Sequence, residues 1–403
     1  MNAGLLVIIL LLGLAFLGFP IYIALGIGTL AALNMAGMPA LVLPQKLFAG
    51  MNSSSLLAIP LIIFAGNIMS RSITVKLIDV ANAIIGWIRG SVAVVTVLAS
   101  ALFGAISGSG VATASAIGGI TIPAMQREGY PSEFSTAISA ISSILGPIIP
   151  PSITLIVYAS ITNVSVSQLF MGSVIPGILL AGSLIVYALV YGKKNNLPAH
   201  EKQTPKQIGH AFKEGIWALL MPIIILGGIF GGIFTPTEAA AVAVVYALII
   251  SLTVYRDMKL SELPQVFVEA SVSTATIMMM VGLSKASSYV VVTSGLPQQL
   301  LNVFTSITSN RIVILLLLNL LFLIIGMLME ANAAIIMMTP ILTPLLTAFN
   351  IDALQFGIVM SFNLCIGLVT PPVGLCLLIC NQIAKTRLMK ALKAMMPMLL
   401  ISV

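Results

Sequence analysis

The chain has 403 residues, 59% of them hydrophobic and only 7% charged, against about 25% charged in a soluble domain. The net charge of +7 does not mark a nucleic-acid partner, because the basic residues sit between apolar runs instead of on one soluble face. The short alternating segments of a β-barrel are missing, so the expectation is an all-α polytopic membrane protein.

In chain order, "MNAGLLVIILLLGLAFLGFP" lacks a basic leader and a small-residue cleavage site, so it reads as a first span, 3–17, and not a signal peptide. Spans follow at 20–36 and 51–70. After Met69 an amphipathic arm with Arg71, Lys76 and Asp79 is predicted to lie at the interface. Residues 91–125 carry "GAISGSGVATAS" at their midpoint. Each flanking arm is about 25 Å or less at 1.5 Å per residue, marginal for crossing roughly 30 Å of hydrocarbon. A re-entrant helical hairpin is expected there, with its tip near the bilayer centre. Spans at 132–161 and 171–191 come next. The stretch Gly192–Gly215 holds five lysines and both histidines, His200 and His210, and reads as a cytoplasmic loop with surface histidines. Then come spans at 216–234, 237–255 and 265–293. A second amphipathic arm with Asn302 and Arg311 follows, then a second hairpin over 311–349 with "GMLMEANAA" at its midpoint. Spans at 353–382 and 388–403 complete the chain. With the N-terminus outside and both hairpins re-entrant, 15 of the 18 basic residues face the cytoplasm; Lys46, Lys285 and Arg311 are left outside.

The chain also repeats itself. Gly146, Pro150 and Pro151 of "GPIIPP" match Gly367, Pro371 and Pro372 of "GLVTPP" at an offset of 221, the tip glycines Gly104 and Gly326 are 222 apart, and Pro20 and Pro236 are 216 apart. The first hairpin enters from the cytoplasm and the second from outside, which makes an inverted repeat of the kind that builds many transporters. The expected organisation is 1–90 first scaffold and arm, 91–170 first transport core, 171–310 connecting span, loop and second scaffold, 311–385 second transport core, and 386–403 a final span.

Proline inside a span frees carbonyls that an intact helix would use. Unpaired carbonyls are costly in hydrocarbon, so they must face protein, water or an ion. Each break falls about halfway along its span, beside a tip with Ser107, Ser109 and Thr113, or with Glu330 and Asn332. Oxygen donors of this kind suit a hard cation such as Na⁺, and helix N-termini nearby suit an anion. Nothing points to an enzyme. Cys365, Cys376 and Cys380 sit in apolar helix without metal or disulfide spacing, no acid–base constellation lies within a span, and no "GxxxxGK[ST]" occurs.

"LLAIPLIIFAGNIM" (Leu56–Met69), "GSGVATASAIGGITIPAM" (Gly108–Met125), "GYPSEFSTAISAISSILGPIIPPS" (Gly129–Ser152), "FTPTEAAAVAVVYAL" (Phe234–Leu248) and "GLVTPPVG" (Gly367–Gly374) together resemble the large membrane subunit of tripartite ATP-independent periplasmic (TRAP) transporters, over nearly the whole chain. The resemblance implies an elevator-type Na⁺ symporter of the bacterial inner membrane, in which a core of both hairpins and both broken helices slides against a scaffold. It also implies a small four-helix membrane subunit and a periplasmic binding protein that delivers an organic acid such as a C4-dicarboxylate or sialic acid. The family's first sodium site falls on Gly104, Ser107, Gly146, Ile149 and Pro150, and its second on Gly326, Gly367, Thr370 and Val373. A stand-alone Na⁺/carboxylate symporter of related architecture is the alternative.

Substrate contacts are expected from polar groups near the tips: Ser109, Thr113, Ser115, Asn332 and Asn363. Glu330 either orients its tip and biases cation binding or bonds the tip's own amides. Lys285 either faces a substrate carboxylate or Glu330, or snorkels to the outer interface. Glu238 of "TPTEA" is expected to cap a helix start.

Overall fold

A computed structural model describes residues 2–199 and 202–403; His200 lies outside the described residues. Among them no strand occurs. In the first half, α1 (Ala3–Phe16) and α2 (Ile21–Met35) form a pair, followed by α3 (Val42–Met51), α4 (Ala58–Ser72) and the arm α5 (Thr74–Ile85). Then come the hairpin α6 (Ser91–Ser107) and α7 (Gly110–Arg127), and a broken helix α8 (Ser132–Ser143), α9 (Leu145–Ile148) and α10 (Ile153–Thr162). The long α11 (Val166–Lys194) leads to the second half: α12 (Pro205–Phe230), α13 (Pro236–Ile249), α14 (Leu263–Thr293) and the arm α15 (Leu296–Ile307). The second hairpin is α16 (Arg311–Leu328) and α17 (Ala331–Ala348), the second broken helix is α18 (Ala353–Gly367) and α19 (Leu375–Ala384), and α20 (Leu388–Ser402) is last. Eight helices are long and apolar enough to cross a membrane. The order pair, arm, hairpin, broken helix recurs in the two halves, as the offsets predict.

Packing divides these helices into two bodies. One is built on α14, which lies against α1, α2, α3 and α4, with α13 and α12 behind α4 and the arm α5. The other gathers α6 to α10 with α16 to α20. The span holding the first break is sheathed by protein, with 94% of its most apolar stretch buried, whereas α16 has 22% buried and presents its outer face to lipid. Salt bridges tie the first arm region to the scaffold: Arg71 Nη2 lies 2.8 Å from Glu269 Oε1, and Lys76 Nζ 2.9 Å from Glu214 Oε2. The hydrogen bond that the Lys76 ammonium donates to Glu214 holds it above its ordinary pKa.

Three elements differ from the sequence expectation. The span set at 51–70 is not one continuous helix. α3 ends at Met51, Asn52 and Ser53 break the path, and a 3₁₀ turn at Ser54–Leu57 opens α4. α3 was missed because it is short and only weakly apolar. It forms because it packs closely on α14, where a Cβ at Gly282 would stand 3.0 Å from the Leu47 carbonyl. The stretch Gly192–Gly215, expected as a cytoplasmic loop, is helical at both ends: α11 runs to Lys194, and Thr204 and Gln207 make a reciprocal capping box with Pro205 at N1, starting α12 well before Gly215. Finally, α6 and α7 fold back along one another, but α16 and α17 diverge: α16 packs on α18, while α17 packs on α10 and α14.

Candidate transport site

At the first tip, α6 ends at Ser107 and Gly108 takes a left-handed conformation, φ 61°. Ser109 is extended and caps α7, its Oγ accepting from the Ala112 amide at 3.3 Å. Opposite the tip, α9 ends and the chain runs extended at Ile149, passes the cis Pro150–Pro151 bond, and restarts at Ser152. The Ser152 hydroxyl donates to the Pro147 carbonyl and accepts from the Leu155 amide at 3.2 Å. Tip and break touch through glycine. A Cβ at Gly104 would stand 2.6 Å from Gly146 Cα, and one at Gly146 would stand 2.7 Å from the Ser109 carbonyl oxygen and 2.8 Å from Thr113 Oγ1. Gly104, Ser107 and Gly146 therefore converge, with Ile149 and Pro150 forming the break beside them.

The second half repeats this. Glu330 caps α17 in the place Ser109 holds on α7, 221 residues earlier. Its Oε2 accepts from the Ala333 amide at 3.2 Å and its Oε1 from Asn332 Nδ2 at 2.7 Å, so it does bond its own tip. Gly326 and Gly367 meet backbone to backbone. The Val373 amide donates to the Met327 carbonyl at 3.2 Å, and the Cys376 amide reaches across the turn to the Leu368 carbonyl at 2.9 Å. Thr370 Oγ1 donates to the Ile366 carbonyl at 2.9 Å, which leaves its lone pairs open. Pro371–Pro372 is also cis. Gly326, Gly367, Thr370 and Val373 thus lie at one junction.

Between the two tips is a cavity of about 750 Å³. Ser107, Ser109, Ser115, Glu330 and Asn332 line it, along with Thr154 beyond the first break. Asn332 Oδ1 is buried there without a hydrogen-bond partner among the described residues. Glu330 is its one charged lining residue, and none of the described lining residues is basic. Sequence reasoning missed Asn67, Ser273 and Thr276, which line its scaffold wall. "FAGNIM" and "SVSTAT" carry these polar groups inside apolar helix, which was the available signal.

Three expected substrate contacts fall elsewhere. Thr113 is buried behind the tip, its hydroxyl donating to the Ser109 carbonyl at 2.8 Å and lying 3.4 Å from Ser107 Oγ, so it faces the break. Asn363 sits on the α16 side of α18, where its amide donates to Asn319 Oδ1 and to the Val359 carbonyl. Lys285 does not meet Glu330; it lines a second cavity at the other end of α14. The Asn319–Asn363 pair is a buried polar contact between helices, worth about 0.6–2 kcal/mol in a membrane. Asn363→Ala is therefore expected to lower thermal stability by that order in detergent while leaving the substrate KM unchanged; a raised KM with unchanged stability would return Asn363 to the cavity wall.

Two proline-broken helices meet two helix–helix tips beside one cavity, mostly apolar with a few polar groups, inside a multi-pass helical membrane chain; this is the architecture of a transport permease. Residues 7–403 match the family model of the tripartite ATP-independent periplasmic transporter, DctM component, and the chain belongs to that family. It is 40% identical over 357 residues to the C4-dicarboxylate TRAP transporter large permease protein DctM of Pseudomonas aeruginosa, covering 88% of this chain and 84% of that one. It is 34% identical over 390 residues to the sialic acid TRAP transporter large permease protein SiaM of Vibrio cholerae, covering 96% and 91%. In fold it is similar to the crystal structure of the YdaH transporter of Alcanivorax borkumensis, with a TM-score of 0.61 at 14% identity, covering 89% and 84%.

Proposed function

We propose that this chain is the permease of a Na⁺-coupled importer of a small organic acid in the bacterial inner membrane. It works with a small four-helix membrane subunit and takes its cargo from a periplasmic binding protein. The N-terminus is periplasmic, since that orientation puts the basic loops in the cytoplasm. The relatives' substrates, a C4-dicarboxylate and sialic acid, set the class: one or two carboxylates on a small polar body.

The observation that carries the reading is the charge of the cavity between the tips. An organic anion there meets a largely apolar wall with a few hydroxyls, amides and one carboxylate, but no lysine or arginine. Burying an unpaired carboxylate costs several kcal/mol, so its counter-charge has to come from outside the chain. Cations held at the two tip–break junctions supply it. Gly104, Ser107, Gly146, Ile149 and Pro150 would hold one Na⁺, with Thr113 Oγ1 close by, and Gly326, Gly367, Thr370 and Val373 a second. These donors are hydroxyls and freed carbonyls, the oxygen set a hard cation takes. Cation and anion then stabilise each other's binding, which is the requirement for coupled transport. The core moves as a body against the α14 scaffold, elevator fashion; the cavity lies beside the α1–α2 turn, where Phe19 and Tyr22 line it, and with a periplasmic N-terminus that turn is cytoplasmic, which supports an inward-facing reading.

The test is uptake into vesicles containing this chain, the small subunit and the binding protein, with labelled C4-dicarboxylate and sialic acid as probes. Replacing external Na⁺ by K⁺ at constant ionic strength is expected to cut uptake at least tenfold. Uptake indifferent to Na⁺ would overturn the coupling, and equal uptake without the binding protein would favour the stand-alone symporter.

A further inference from the structure

We propose that the second cavity is a receiving site for a small organic carboxylate, with the Lys285 ammonium as its counter-charge. This rests on the transport reading and adds to it a subsite away from the tips, on the side from which cargo arrives. The cavity measures about 570 Å³ and lies between α3 and α14 on one wall and α10 and α17 on the other. Its lining is polar: Asn52, Ser54, Ser160, Asn163 and Thr343 stand around Lys285.

The lysine is seated for this place. A Cβ at Gly50 of α3 would come within 2.7 Å of Lys285 Cβ, so α3 can pack here only because that residue has no side chain. A lysine that merely snorkels runs its stem along lipid; this one lines a cleft between the two bodies of the protein. Its charge is also uncompensated. No carboxylate among the described residues lies within ion-pair distance of it. The nearby acidic groups are committed: Glu238 Oε2 accepts from the Thr235 amide and hydroxyl at 2.8 Å each, next to Thr237, whose hydroxyl donates to the Ser54 carbonyl at the cavity rim. Asp352 caps α18, accepting from the Gln355 amide at 2.8 Å. The other lysine at this end, Lys46, lies 4.3 Å over the Tyr289 ring. The Lys285 side chain is exposed to the cleft, where its ammonium can pair with an incoming carboxylate, and the surrounding hydroxyls and amides complement the polar body of such an acid.

The same helix serves both cavities. Ser273 and Thr276 line the one between the tips, and Ser284, Lys285 and Ser288 line this one. Nine residues separate Thr276 from Lys285, about 14 Å along the helix, so the two subsites are served by one scaffold helix at different heights and from different sides of it.

The proposal is tested by charge-selective labelling of Ser288→Cys in the full-length chain in right-side-out vesicles. The native cysteines are completely buried, so the chain without the added cysteine gives the background. The rate with anionic sulfonatoethyl methanethiosulfonate is divided by that with its cationic trimethylammonioethyl analogue. We expect this ratio to fall at least tenfold in Lys285→Met and in Lys285→Gln and to be kept in Lys285→Arg. An unchanged ratio in the neutral variants, or no external labelling by either reagent, overturns the site. Labelling requires no transport. Loss of Na⁺ dependence in the uptake assay would therefore leave this result standing, and an unchanged ratio would leave the uptake reading intact.

Discussion

Gly146→Ala is expected to abolish Na⁺-driven uptake, by a hundredfold or more, while the protein still reaches the membrane. The added methyl would stand 2.7 Å from the Ser109 carbonyl oxygen and 2.8 Å from Thr113 Oγ1, inside the oxygen cluster proposed to hold Na⁺. Neither group can retreat freely. The Ser109 carbonyl is fixed by the Thr113 amide at 3.1 Å and its hydroxyl at 2.8 Å, and Gly104 closes the other side. Overpacking of this kind costs about 1–3 kcal/mol, enough to shift the tip but not to unfold a chain of this size. Gly119→Ala is the control. It lies on α7, the hairpin arm that carries Thr113, where a Cβ meets nothing within 4 Å, and it should transport normally. If Gly146→Ala also transports normally, the junction is not the cation site.

Glu330→Ala should cost at least tenfold in uptake for a different reason. It removes both acceptors at once, leaving the Ala333 amide and Asn332 Nδ2 without their partner. Loss of a cap costs about 0.5–2 kcal/mol, and here the released groups face the cavity. Glu330→Gln separates shape from charge. Its amide oxygen can still cap α17, so thermal stability should return to nearly that of the parent chain. The missing negative charge should raise the Na⁺ concentration for half-maximal uptake several-fold with maximal uptake largely restored. A Na⁺ titration decides it: an unchanged half-saturation point would confine Glu330 to capping.

How far these features could be read in advance depended on whether they are local. Proline pairs, tip glycines and amphipathic arms announce themselves in a few residues, because proline and glycine act on the backbone wherever they stand. Both breaks, both tips and the capping role of Glu238 were legible for that reason. The facing of a polar residue was not. Asn363 lies one turn before the second break, and Thr113 one turn into α7, yet Asn363 turns to Asn319 on another helix and Thr113 bonds the tip's own Ser109 carbonyl while facing the first break. Inside a span every side of a helix is apolar, so periodicity gives no phase, and tertiary packing alone decides which way an amide points. α3 was hidden for a related reason: its helicity rests on α14, almost 240 residues further along the chain.

The uneven cover of the two hairpin regions has a consequence for the surrounding lipid. The first break is wrapped in protein, but most of α16 is left uncovered by the rest of the chain, an apolar flank suited to lipid. If the core travels along the membrane normal as proposed, it carries this greasy flank with it, and lipids beside α16 would thin, thicken or tilt at each stroke, at a cost of fractions of a kcal/mol per ångström of hydrophobic mismatch. Bilayer thickness would then enter the energy profile of the cycle through one helix on one side of the molecule.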